Sequence, residues 1–193
     1  MTERGPRERM VFSAAQLIRR DGVTATGLRD VVAHADAPRG SLAHYFPGGK
    51  EQLVNEAVDW AGWYAANRID RFLAGLARAT PGRLFAAMVR QWTDEFAAIG
   101  YDQGCPVAAA TVDASVTAST RAAAAAAFAA WRAPIARALV GMGVPARKAT
   151  SAATLMVSAL EGAILIARAE RSPRALTTVA RELGPLLDGY VIR

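Results

Sequence analysis

The chain of 193 residues has one cysteine, Cys105, and two histidines, His34 and His44. A lone thiol excludes an internal disulfide framework and fits a reducing compartment. With two imidazoles beside it, there is little material for a zinc site, and no metal is expected. Long alternating stretches of Val, Ile and Thr are also missing, which argues against a sheet. There is no nucleophile elbow, no paired-histidine helix and no phosphate loop, so neither an enzyme nor a cofactor is expected. The opening run MTERGPRERM is charged and lacks an apolar centre. No secretory signal is visible in it, and a cytoplasmic location is expected.

What is present reads as helix. The composition, 52% hydrophobic and 21% charged, is that of a globular protein. A net charge of +6 and a pI near 10.2 favour a polyanionic partner, although the signal is diffuse. Residues 1–50 hold eight Arg or Lys against five Asp or Glu. The remaining arginines are scattered along later segments, where they read as a solvated face.

Apolar residues recur at three- and four-residue steps along almost the whole chain. Met10, Ala14, Leu17 and Ile18 mark a first helix, closed by Asp21-Gly22. Thr26 is placed to cap a short second helix through Leu28, Val31 and Val32. Ala37-Pro38 reads as the start of a third, which Pro47-Gly48-Gly49 stops. A long helix begins near Lys50, and Thr80-Pro81 opens another. A Gly-rich break spans Ile99 to Pro106, with a short helix after Pro106. Ser119-Thr120 precedes an alanine-dense helix containing Ala122 to Ala127. Gly143-Val144-Pro145 and Ser172-Pro173 introduce the last two. The expected fold is all-α with about nine helices. The run from Ala152 to Ala167 is strongly apolar, but it is shorter than the roughly 20 residues a membrane span needs and contains Glu161. It reads as a buried bundle helix, and no membrane is expected.

The stretch TGLRDVVAHADAPRGSLAHYFPGGK, Thr26 to Lys50, places two short helices about a tight turn at Ala35-Asp36-Ala37. Leu28, Val32, Leu42 and Phe46 are available for a shared core, as in a helix-turn-helix. Its second helix would enter the major groove and present Arg39, Gly40, Ser41, Ala43 and His44 to DNA. Gly40 allows close backbone approach, and Arg39 has the reach for a phosphate or a guanine edge.

The first helix, Thr26 and the run APRGSLAHYFPGGKEQL closely resemble the DNA-binding domain of TetR-family regulators over about residues 7–56. The resemblance implies phosphate contacts from Thr26 and Lys50 and base reading by the third helix. The segment GCPVAA, Gly104 to Ala109, further resembles a subgroup related to LmrA and YxaF. Two positions depart from the pattern. Asp36 stands where the turn commonly has Gly, and Asp tolerates a left-handed backbone better than most residues. Ala43 stands where an aromatic is usual; Tyr45 could either replace that contact or tuck against the core.

The resemblance implies a DNA-binding domain over residues 1–50 and a ligand-binding, dimerising domain over 51–193. Within the latter, Met88, Trp92 and Phe96 recur at four-residue steps, and Phe128 and Trp131 follow on another helix. Such residues build either a core or an apolar ligand pocket. Asp94, Glu95, Asp113 and Glu161 are polar candidates to orient a ligand. Glu161, with apolar flanks, must face solvent, pair with an Arg such as Arg168, or meet a ligand. Cys105 is either a thiol sensor or a small buried apolar residue. Ala153, Leu160 and Ile164, with Leu176, Val179, Leu183 and Leu187, are expected at a four-helix dimer interface. The expected function is a repressor that binds palindromic double-stranded operator DNA as a homodimer and is released by a small, largely apolar effector. The long helix from Lys50 would be its lever. A helical small-molecule carrier or scaffold without DNA binding is the competing reading.

Overall fold

A computed structural model describes residues 5–38, 40–113 and 117–192. Among these residues there are nine helices and no strand. α1 (Pro6–Ala25) starts with Pro6 in its first turn, and Glu8 accepts the Gly5 N–H at 3.3 Å. The expected break at Asp21-Gly22 is a kink: Gly22 adopts φ +84°, after which the chain turns helically again to Ala25. α2 (Leu28–His34) and α3 (Ser41–Tyr45) follow. α4 (Gly49–Ala74) begins on Gly49, whose φ of +67° suits a residue without a side chain.

α5 (Pro81–Ile99) is capped as expected, Thr80 accepting the Arg83 N–H at 3.3 Å with Pro81 behind it. α6 (Pro106–Val112) starts on Pro106. α7 (Ala118–Gly141) begins slightly earlier than Ser119-Thr120 implied. There the Thr117 hydroxyl accepts the Thr120 N–H at 3.1 Å and takes the capping role. α8 (Ala146–Glu170) and α9 (Arg174–Asp188) complete the fold.

The chain forms two compact units, one of residues 1–63 with 103–128, the other of 64–102 with 129–193. The division expected at residue 50 concerned roles, whereas these units are defined by packing alone. In the first unit α1 packs on α2 and α6. Arg19 and Gly104 exchange two bonds: the Gly104 N–H donates to the Arg19 carbonyl at 2.9 Å, and Arg19 Nε to the Gly104 carbonyl at 2.8 Å. The GCPVAA segment is thereby fastened to α1. Gly62 on α4 lets the Ala127 backbone of α7 come so close that a Cβ would sit 2.7 Å from the Ala127 Cα.

In the second unit α9 packs on α5 and α8. Gly82 lets α5 and α9 come close, a Cβ there meeting the Gly184 carbonyl oxygen at 2.7 Å, and the Gly82 N–H donates to Asp188 Oδ1 at 2.8 Å. Phe85, Met88, Ile135, Leu139, Met156 and Leu160 are fully buried there. The apolar run of α8 packs within this bundle, as its embedded Glu161 implied. Of the residues expected at a dimer interface, Val179 and Leu183 are half-buried and the other five are buried. Ala153, Leu160, Ile164, Leu176 and Leu187 are buried inside the protomer, because α5, α8 and α9 need them to close their own core. The apolar side chains left outside on α8 and α9 are Leu155, Leu165, Ile166 and Leu186.

Candidate nucleic-acid interface and effector region

The turn between α2 and α3 is held from outside. Asp36 takes φ +47°, the left-handed conformation expected of it. Arg9 on α1 donates from Nε to the Ala35 carbonyl at 3.0 Å and from Nη2 to the Asp36 carbonyl at 3.1 Å. These bonds satisfy carbonyls that the end of α2 leaves free. His34 Nδ1 lies 2.9 Å from the hydroxyl of buried Ser13, tying α2 to α1.

Two local expectations change. Thr26 does not cap α2, since Gly27 occupies that position without a side-chain bond. Thr26 is buried at the end of α1, and its hydroxyl donates back to the Gly22 carbonyl at 2.7 Å. The same carbonyl accepts the Thr26 N–H at 3.3 Å, so the backbone and the hydroxyl of Thr26 both close the end of α1 on Gly22. Pro38 does not begin α3 either. Its carbonyl accepts both the N–H and the hydroxyl of Ser41, at 3.0 and 2.6 Å, and the helix starts at Ser41.

α3 stands on Phe46, which is 1% exposed. The Arg7 guanidinium lies 5.4 Å from the Phe46 ring and pairs with Glu56 at 2.7 Å. Gln52 links the same carboxylate to the Gly48 N–H, so the stop after α3 is bonded to the first turns of α4. Gly40, Ala43 and His44 are exposed, while Ser41 and Tyr45 are half-buried. The Tyr45 ring meets His44 edge-on, with centroids 4.9 Å apart. Arg39 lies outside the described residues. Of the expected shared core, Val32 and Phe46 are buried, whereas Leu28 and Leu42 are half-buried and line a 910 Å³ groove.

Lys50 Nζ donates to the Thr24 carbonyl at 3.2 Å. Thr24 also donates to Asp113 just past α6, from its N–H at 2.9 Å and its hydroxyl at 2.6 Å. Asp113, a candidate to orient a ligand, is here the acceptor that holds the end of α1. Ser119 and Thr117 donate to Glu51, and their hydroxyls pull its carboxyl below the usual carboxylate range. Thr120 donates to Asn55 at 2.8 Å. The connection between α6 and α7 is thus bonded to both the end of α1 and the start of α4. Sequence reading missed this clamp because its partners are 64 to 89 residues apart.

The candidate effector residues divide between the two units. Cys105 and Phe128 belong to the first, where Cys105 is buried. Met88, Trp92, Phe96, Trp131 and Glu161 belong to the second. Trp92 and Phe96 stack obliquely at 5.8 Å, and Phe96 meets Tyr101 at 4.9 Å, an aromatic the sequence reading did not single out. Both Glu161 carboxylate oxygens are buried. Arg168, a possible partner for Glu161, donates to the carbonyls of Tyr101 and Asp102 at 3.4 and 3.0 Å. Arg171 pairs with Asp102 at 2.8 Å and keeps that carboxyl charged to lower pH than usual.

Family models match both parts of the chain. Residues 13–57 match bacterial regulatory proteins of the tetR family. Residues 81–182 match the C-terminal domain of LmrA/YxaF-like transcriptional regulators. The chain belongs to the TetR family of transcriptional regulators. As such it is a DNA-binding helix-turn-helix protein, with α2 and α3 inside the matched N-terminal segment. This TetR-family regulator is 42% identical over 189 residues to an uncharacterized HTH-type transcriptional regulator of Mycobacterium tuberculosis, covering 95% of this chain and 94% of that one. It is 30% identical to YxaF of Bacillus subtilis, covering 97% and 98%. A TetR transcriptional regulator from Legionella pneumophila shares the fold, with a TM-score of 0.82, 19% identity and coverage of 97% and 100%.

Proposed function

We propose that this regulator is a cytoplasmic repressor that binds palindromic operator DNA as a homodimer and is released by a small, largely apolar ligand. The observation that carries the DNA-reading part is the open face of α3. Gly40, Ala43 and His44 are exposed on a helix whose underside is pinned by Phe46 and whose entry turn is pinned by Arg9. A short helix so fixed meets base edges at its N-terminal end, with Gly40 allowing close approach, Ser41 and Tyr45 flanking, and Arg39 reaching a phosphate or guanine. Lys50 supplies a phosphate contact from the start of α4. Thr26 would act through the position of the α2 backbone, since its hydroxyl is bonded internally.

One short helix reads only a few bases, so two half-sites supply the affinity. Leu155, Leu165, Ile166 and Leu186, exposed on α8 and α9, support a second copy there. The aromatic group of Trp92 and Phe96, with Met88, Trp131 and Glu161, supports an apolar effector region within the second unit, while Cys105 and Phe128 are effector candidates of the first unit. Release is a population shift. An effector preferring the non-binding arrangement by about 3 kcal/mol weakens operator affinity more than a hundredfold.

Fluorescence anisotropy on the duplex upstream of the protein's own gene, at two salt concentrations and against a scrambled duplex, tests the reading. Specific binding that survives the higher salt and is weakened by His44→Ala and Lys50→Ala, with the helical circular dichroism unchanged, is expected. Loss of sequence preference at both salts would leave the competing reading, a helical carrier without an operator.

A further inference from the structure

On α5, the face opposite Met88, Trp92 and Phe96 opens on a 490 Å³ cleft that it forms with the last turns of α4. Arg68 and Arg71 enter from α4, Arg83 and Arg90 from α5, and Asp94 is the one carboxylate among the lining residues. Four arginines against one aspartate leave a formal charge of +3 in a volume fit for a small molecule. Phe72 and Leu76 add apolar surface to the same wall.

Ordinary structural duties explain two of the four. Arg71 lies in the last turn of α4, where the helix dipole favours a cation. Arg83 donates to the Arg78 carbonyl at 3.2 Å and so staples the connecting loop. Arg68 and Arg90 are different. Arg68 is held by aromatics, its guanidinium 5.5 Å from the Tyr64 ring and 5.4 Å from the Phe72 ring, with Nη1 donating to the Tyr64 hydroxyl at 2.7 Å. Its Nε–H is buried and has no acceptor among the described residues. A buried donor of this kind is costly unless something accepts from it. Arg90 lines the cleft, exposed and outside every ion pair of the described residues.

We propose that this cleft binds a small organic anion with two adjacent negative charges, a phosphate ester or diphosphate. Its charged end is held by Arg68 and Arg90, with Arg71 and Arg83 at the rim, and its apolar body lies on Phe72 and Leu76. Guanidinium forks match phosphate oxygens two at a time, and an Arg already stacked on aromatic rings loses little freedom on binding. The site is separate from the buried aromatic face of α5, and the proposal requires no operator binding, so it stands or falls independently of the repressor reading.

Isothermal titration calorimetry of the full-length protein at physiological salt decides it, with inorganic pyrophosphate and phenyl phosphate as probes and phenol as the uncharged control. Saturable binding of both anions, one per protomer, and none of phenol is expected. Arg90→Ala, on an exposed side chain, should weaken pyrophosphate binding about tenfold, and Arg68→Lys should weaken it similarly because the ammonium lacks the fork. Equal affinity in wild type and Arg90→Ala would overturn the proposal, as would the absence of binding by either anion. If a random-sequence duplex binds through Arg68 and Arg90 while both small anions fail, the cleft is a nucleic-acid backbone contact and the small-anion site is wrong.

Discussion

Replacing Gly62 by Ala probes a close approach of α4 and α7 in the first unit. A Cβ at this position would lie 2.7 Å from both the Cα and the Cβ of Ala127 and 3.0 Å from its carbonyl oxygen. Carbon atoms rest at about 3.5–4.0 Å, so α4 and α7 must part locally by roughly 1 Å. Overpacking of this sort costs about 1–3 kcal/mol, and the obstacle is backbone, which puts it in the upper half of that range. Alanine returns about 1 kcal/mol of helix propensity, leaving a net loss of about 1–2 kcal/mol. For a chain of this length, that is a fall of about 2–8 °C in Tm. Gly162→Ala is the matched control, because a Cβ at Gly162 on α8 meets nothing within 4 Å. On an isolated protomer it should gain about 1 kcal/mol from the same propensity term. Guanidinium unfolding followed by circular dichroism, at one protomer concentration for all variants, gives both values. A Gly62→Ala variant as stable as wild type would refute the close approach of α4 and α7.

The Asp113–Thr24 bonds predict a double-mutant cycle: Asp113→Ala and Thr24→Val should couple by about 1–2 kcal/mol in unfolding, whereas independent effects would dissolve the clamp. Operator affinity should fall in Asp113→Ala, since Thr24 also positions Lys50; anisotropy would detect it. Glu51, Asp21 and Asp102 all have carboxyl pKa values lowered in the folded protein, by Ser119, Arg20 and Arg171 respectively. Their contribution to stability is therefore complete above the ordinary carboxylate range and is lost as pH falls through the lowered values, below about pH 4. Glu51→Gln should flatten part of that acid decline while leaving the pH 6–8 plateau unchanged in shape. Gly162→Ala, read by sedimentation, should also shift the monomer–dimer balance if the open α8 face holds a second copy.

The local features that the sequence carried are those set by nearest neighbours along the chain. Helix periodicity, Thr80-Pro81 at the start of α5, the kink at Gly22 and the left-handed Asp36 all follow from backbone preferences within a few residues. Even there, competition between close options misled: the hydroxyl of Thr26 had either an N-cap or the Gly22 carbonyl to satisfy, and it joins the Thr26 N–H on the latter. In the proposed reading segment, Gly40, Ala43 and His44 share an exposed side, a pattern legible in the sequence because one short helix brings its own neighbours with it.

What depended on packing was out of reach. Period 3.6 shows that α8 and α9 have apolar sides but not which stripe closes the protomer's own core. Only the assembled bundle separates buried Leu160, Ile164 and Leu187 from exposed Leu155, Leu165 and Ile166. The Asp113 clamp joins residues far apart in sequence, and no local rule pairs them. The arginines at 68, 71, 83 and 90 read as a solvated face because each lies on an unremarkable helical segment. Folding α4 back against α5 turns two separate stripes into one cleft of charge +3. The sequence by itself determined the helices, the cap at Thr80 and the helix-turn-helix; the tertiary structure alone decided which side chains meet, because meeting depends on distances that close only when the chain folds.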